Sequence, residues 1–129
     1  MANKILVVDD EKSILFALDK YFAQHGFVVD TASDPAAAEA LIAKNTYDLA
    51  IIDIHLTRRI DFAEGLELAA FLRDLAPKTA VILMSALGSP ETERRAAEIG
   101  AHSLVRKPTR LASIAAAAFS VIGEPVSVA

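Results

Sequence analysis

The sequence predicts an α/β fold: a five-stranded parallel sheet, doubly wound, with helices on both faces. Short apolar runs alternate five times with segments whose apolar residues recur at helical spacing. The connections between these units are short, as in consecutive β-then-α units. One run, D-L-A-I-I-D-I at 48–54, is apolar on both faces, which suits a strand in the middle of a parallel sheet.

Each element has its own justification. Residues 5–8 (I-L-V-V) form the first strand. In 13–25, Ile14, Leu15, Leu18, Tyr21 and Phe22 mark one helical face, and Gly26 stops the helix. The second strand is 27–32. In S-D-P, Asp34 caps a helix that runs to about Lys44, and Pro35 sits where no N–H is needed. The third strand follows at 48–54, then a helix at 64–75 that ends before Pro77. A fourth strand covers 79–84, S-P-E at 89–91 opens a fourth helix, and Gly100 ends it. Residues 102–105 form the fifth strand and 109–122 the last helix. The expected organisation is one domain, 1–122, with a frayed tail at 123–129.

Composition narrows the function classes. The chain has 129 residues, 53% hydrophobic and 23% charged, with no cysteine, so it needs neither disulfides nor a thiolate metal site. A net charge of −4 argues against direct nucleic-acid binding, which needs clustered Lys and Arg. No apolar run approaches the ~20 residues that insert into a membrane, and the N-terminus lacks a signal peptide. A cytoplasmic protein is expected. His25, His55 and His102 are too scattered to suggest zinc.

Ligands in open α/β sheets bind beyond the carboxyl ends of the strands, near a topological switch point. Those ends carry Asp9 and Asp10, Asp53, Ser85, and Lys107 before Pro108. Asp10 is able to cap the following helix, but one cap needs only one carboxylate, which leaves Asp9 over. Asp53 lies among core residues, where an unpaired carboxylate is costly. Ser85 and Lys107 are uninformative singly. Three carboxylates converging on one edge raise one another's pKa unless a cation neutralises them. Oxygen donors alone suit Mg²⁺, and a lysine and a hydroxyl beside them suit phosphoryl oxygens. The physical reading is a Mg²⁺-dependent site that binds or transfers a phosphoryl group.

In V-V-D-D-E, Y-D-L-A-I-I-D-I, V-I-L-M-S-A and G-A-H-S-L-V-R-K-P, the chain resembles the response-regulator receiver domain of two-component signalling, from about Lys4 to Ile122. The resemblance implies a CheY-like, flavodoxin-like fold. It implies that Asp53 is the phosphoacceptor, attacking a phosphohistidine on a sensor histidine kinase or phosphotransfer protein. Asp9, Asp10, Asp53 and the His55 backbone carbonyl would hold Mg²⁺, and Lys107 would pair with a phosphoryl oxygen. Ser85 would donate to the phosphoryl group and shift on phosphorylation. The bond before Pro108 is expected to be cis. Such a protein catalyses only its own phosphorylation and dephosphorylation, and signals to a downstream protein by contact.

Three departures from the family pattern stand out. Thr57 replaces a proline, Gly65 comes about four residues late, and the loop from Thr57 to Glu64 gains Arg58 and Arg59, either as a solvated insertion or as arginines that reach the site or the kinase. Leu104 stands where the family has an aromatic switch residue, so the usual coupling from Ser85 is altered. His55 and Leu87 flank the site where side chains tune acyl-phosphate hydrolysis. The last helix, whose only charge is Arg110, reads either as an alanine-rich helix chosen for propensity or as a face that docks a partner or forms a homodimer. An alternative to phosphoacceptance is a receiver-like interaction module that works without it. A haloacid-dehalogenase-type phosphatase is disfavoured, because D-D-E does not supply the required D-x-D.

Overall fold

The computed structural model describes residues 3–56, 64–86, 89–107 and 109–123. Its elements are β1 (Lys4–Val8), α1 (Lys12–Gln24), β2 (Val28–Ala32), α2 (Pro35–Lys44), β3 (Leu49–Asp53), α3 (Glu64–Leu75), β4 (Ala80–Ser85), α4 (Pro90–Ile99), β5 (Ser103–Arg106) and α5 (Leu111–Ile122). The strands form one parallel sheet in the order β2-β1-β3-β4-β5. The expected five-stranded doubly wound fold is therefore the observed one. The chain winds outward in one direction after β1 and in the other after β3, so the switch point lies between these two strands.

The period of two along each strand divides the core. Leu6, Val8, Ala50, Ile52, Val81 and Leu83 face one side and pack with Ala38, Ile42, Leu66, Leu72 and Ala96 from α2, α3 and α4. Ile5, Val7, Leu49, Ile51, Ile82 and Met84 face the other and pack with Leu15, Leu18, Phe22, Ile114 and Ala118 from α1 and α5. All of β3 is buried, as its doubly apolar sequence requires. Phe119 of α5 packs against Phe22 and Phe27, with both ring centroids at 6.0 Å. The exposed positions of α5 are Ala112, Ser113, Ala116 and Ser120, so its outward face is small and only partly apolar.

Helix ends follow local chemistry where a capping residue exists. Asp34 accepts from Ala37 N–H at 2.8 Å, and Ser89 accepts from Thr92 N–H at 3.1 Å. Gly100 closes α4 in the left-handed region at φ 86°, which a side chain would disfavour. Glu11 stands at the N-cap of α1, so Asp10 is not its cap, and no side chain caps that helix. The expected start of α5 at 109 is corrected to Leu111, since the backbone at Arg110 is still extended, with φ −80° and ψ 146°.

The amino ends of the strands are stitched by side chains. Asp48 Oδ2 accepts from Lys4 N–H at 2.8 Å, and Thr79 Oγ1 donates to the Tyr47 carbonyl at 2.6 Å in a buried setting. The Tyr47 hydroxyl donates to Asp30 at 2.6 Å; burial, with that bond, pushes the phenol pKa well up. Arg73 donates to the carbonyls of Pro77 and Thr79 at 3.0 and 3.2 Å.

Candidate functional site

The opposite, carboxyl edge of the sheet gathers charge at the switch point. Asp9 follows β1 directly and is fully buried, its backbone N–H held by the Ala32 carbonyl at 3.1 Å. Its Oδ1 accepts from Glu11 N–H at 2.8 Å, so Asp9 shapes the turn that leads into α1. Asp53 ends β3 and is also buried, with Oδ1 accepting from His55 N–H at 3.1 Å. Asp9, Asp10 and Asp53 each offer a carboxylate oxygen within 4.8 Å of the others. Asp10, half-buried, opens this group toward solvent.

Lys107 comes from the other side of the sheet, just after β5, where its backbone N–H donates to the Ser85 carbonyl at 2.8 Å. Its ammonium lies 3.0 Å from Asp9 Oδ2, 3.1 Å from Asp53 Oδ2 and 3.2 Å from Glu11 Oε1. One cation thus serves several carboxylates. Burial raises the Asp9 carboxyl to about 6 despite its bonds to Glu11 and Lys107, and the neighbouring Asp53 adds to the rise. Asp53 is likewise held above the usual range by burial, with repulsion from Asp10 adding to it. Burial alone would lower the Lys107 ammonium; the hydrogen bond to Asp9 and the attraction of Asp53 outweigh it and push the pKa up. The acids thus rise chiefly because they are buried, and the ammonium rises against burial because carboxylates surround it.

This donor set fits a hard divalent cation. It is all oxygen, holds no His or Cys, and its carboxylates are short of positive charge in the presence of Lys107 alone. Ser85 ends β4 and is fully buried one residue beyond Met84, the register partner of Asp53. The five predicted strand-end residues Asp9, Asp10, Asp53, Ser85 and Lys107 therefore share one edge. Leu104, the register partner of Leu83, is turned to the α3–α4 side of the core and borders a cavity of about 310 Å³ with Ala96, Ala97 and Ala101. The expected cis bond at Pro108, the roles of Leu87, Arg58 and Arg59, and Thr57 lie outside the described residues.

Two features escaped the sequence reading. Glu11 joins the lysine although it is far away in the chain, and only its place beside Asp9 and Asp10 hinted at it. Gly65 packs directly on the end of β3: a Cβ there would lie 2.0 Å from the Asp53 carbonyl oxygen. Its N–H donates to the Ile54 carbonyl at 2.8 Å. The late glycine therefore still abuts β3.

Comparison with known proteins bears on this geometry. A family profile described as the response regulator receiver domain matches residues 5–119. The transcriptional regulatory protein CusR of Escherichia coli (strain K12) is 33% identical over 113 residues, 88% of this chain and 48% of that protein. The alginate biosynthesis transcriptional regulatory protein AlgB of Pseudomonas aeruginosa is 33% identical over 106 residues, 82% of this chain and 23% of that protein. The chain thus spans about a quarter to a half of the length of the curated relatives it matches. A CheY-like receiver domain protein from Methanospirillum hungatei superposes with a TM-score of 0.85 at 25% identity, covering 93% of both chains. A response regulator protein from Burkholderia pseudomallei, solved with a phosphorylated aspartic acid, calcium ion and citrate, gives a TM-score of 0.79 at 26% identity, over 98% of this chain and 77% of that one. Among the described residues no helix is long and apolar enough to cross a membrane. With its sheet order, its acidic switch point and its profile match in agreement, the chain belongs to the response regulator receiver domain family of two-component signalling.

Proposed function

We propose that this chain accepts a phosphoryl group on Asp53 from a phosphohistidine of a sensor histidine kinase or phosphotransfer protein, in a Mg²⁺-dependent reaction. The observation that carries the reading is the buried Asp53 carboxylate, grouped with Asp9 and Asp10 and bonded to Lys107. Asp9, Asp10, Asp53 and the His55 backbone carbonyl are the residues that would hold the metal. Bound there, Mg²⁺ would offset charge on the phosphoryl oxygens during in-line transfer.

The remaining chemistry falls to this chain's own groups. An Asp53 carboxylate oxygen attacks phosphorus, the P–N bond to the donor imidazole breaks with its electron pair left on the ring nitrogen, and an acyl phosphate results. Lys107 transfers a donor from the Asp carboxylates to a phosphoryl oxygen, and the Ser85 hydroxyl donates to another. The buried setting of Asp9 and Asp53 strengthens each of these interactions relative to water. The only reactions catalysed are the chain's own phosphorylation and dephosphorylation. It acts in the cytoplasm, and the signal passes to a downstream protein by contact. The small outward face of α5 is a candidate surface for that contact or for a homodimer. A monomeric elution profile unchanged by phosphorylation counts against the dimer.

The test is direct. Incubation with Mg²⁺ and acetyl phosphate should give a phosphoryl adduct by intact mass, which chelation of the metal and Asp53→Asn both abolish. No adduct with any donor, together with no Mg²⁺ binding, overturns the reading and favours an interaction module that works without phosphorylation.

A further inference from the structure

An ammonium has three N–H donors, and the ammonium of Lys107 faces three different carboxylates. Asp9 and Asp53 belong to the candidate metal set; Glu11 does not. The side chains of Asp9 and Asp53 are 0% and 6% exposed, whereas that of Glu11 is 58% exposed at the mouth of the site. Glu11 stands at the N-cap of α1, yet its side chain makes no capping bond. Its backbone is fixed by Asp9 Oδ1 at 2.8 Å. The same aspartate therefore anchors the residue whose side chain reaches the lysine.

Building on the metal-dependent reading above, we propose that Glu11 is a positioning residue for Lys107: it keeps the ammonium when a divalent cation takes the oxygens of Asp9 and Asp53. Lys107 now bonds to oxygens that the cation needs, and two cations sharing these carboxylates repel each other. A carboxylate outside the metal set gives the ammonium somewhere to remain. It holds the lysine at the rim, where an incoming phosphoryl oxygen meets it. Without Glu11, Lys107 stays on Asp9 and Asp53 and competes with the metal.

The test is a double-mutant cycle on Mg²⁺ affinity, measured by calorimetry without any phosphodonor. Glu11→Gln should weaken Mg²⁺ binding about three- to fivefold, the scale of an exposed ion pair. In a Lys107→Met background the same substitution should have a clearly smaller effect. Glu11→Asp keeps the charge but shortens the reach, and should behave like Glu11→Gln. If Lys107→Met does not fold, this comparison carries the test alone. Equal effects of Glu11→Gln in both backgrounds, or wild-type affinity in Glu11→Asp, would show only bulk charge and overturn the proposal. Absence of Mg²⁺ binding by the wild-type chain overturns the metal-site reading and this inference together.

Discussion

Gly65→Ala is expected to be among the most damaging single-methyl additions in the chain. The new Cβ would sit 2.0 Å from the Asp53 carbonyl oxygen, 2.6 Å from Ile54 Cα and 2.7 Å from the Asp53 carbonyl carbon. Carbon–oxygen contacts settle at about 3.3 to 3.6 Å, so the first turn of α3 must retreat by roughly 1.3 Å. All three obstacles are backbone of the central strand and its continuation, and no side chain can rotate away. Overpacking of this kind costs about 1–3 kcal/mol. Retreat also lengthens the bond from Gly65 N–H to the Ile54 carbonyl, now 2.8 Å, worth about 1 kcal/mol. The sum, about 2–4 kcal/mol, is a large share of a domain's usual stability of about 5–15 kcal/mol. Urea denaturation should show a lower midpoint with an unchanged m-value. Glu67→Ala, exposed on the same helix, should stay within about 0.5 kcal/mol. A Gly65→Ala loss below about 0.5 kcal/mol refutes the close-approach argument.

Other expectations follow from the same edge and from its opposite. The Asp9 carboxyl is raised from 3.8 to about 6, so the folded state binds more protons than the unfolded chain between these values. Metal-free stability therefore falls as pH rises through that window, by on the order of 2–3 kcal/mol, and levels off above it. Mg²⁺ affinity runs the other way, weakening as pH drops below about 6; urea curves at either end of the window, with and without Mg²⁺, check both signs. Asp53→Asn removes a buried charge while leaving Lys107 two partners, and should raise the metal-free melting temperature by a few degrees as it abolishes the adduct. At the amino ends of the strands, Thr79→Val strands the Tyr47 carbonyl and should cost about 1–3 kcal/mol with no change in Mg²⁺ affinity.

How much was legible in the sequence depended on the range of the interaction. The strands were readable because β-branched runs bury themselves, and the starts at Asp34 and Ser89 because a cap acts within three residues. Asp10 was open to reading as a cap, but it is Asp9 that takes the Glu11 N–H, and the acidic pair alone does not tell which of its carboxylates turns back on the chain. The strand-end set of Asp9, Asp10, Asp53, Ser85 and Lys107 was legible because parallel topology delivers every strand end to one edge. The contact of Glu11 with Lys107 spans 96 positions and depends on how a flexible side chain settles, which no local pattern encodes. Gly65 was noticed as late, but its contact with Asp53 is a tertiary approach of α3 to β3 that no local pattern encodes.

The stitching at the amino ends of the strands has a consequence for motion. Lys4, Tyr47, Asp48 and Thr79 tie neighbouring segments with bonds of 2.6 to 2.8 Å. At the carboxyl edge the side chains that meet across the strands are instead acids around one ammonium, whose balance a bound cation changes. Amide protons at the stitched end should exchange with deuterium only through cooperative opening of the whole sheet. Those near Asp53 and Ser85 should exchange through smaller, local openings and slow down when a cation binds. The sheet then behaves as a clamped reed, fixed at one end and free to respond at the other.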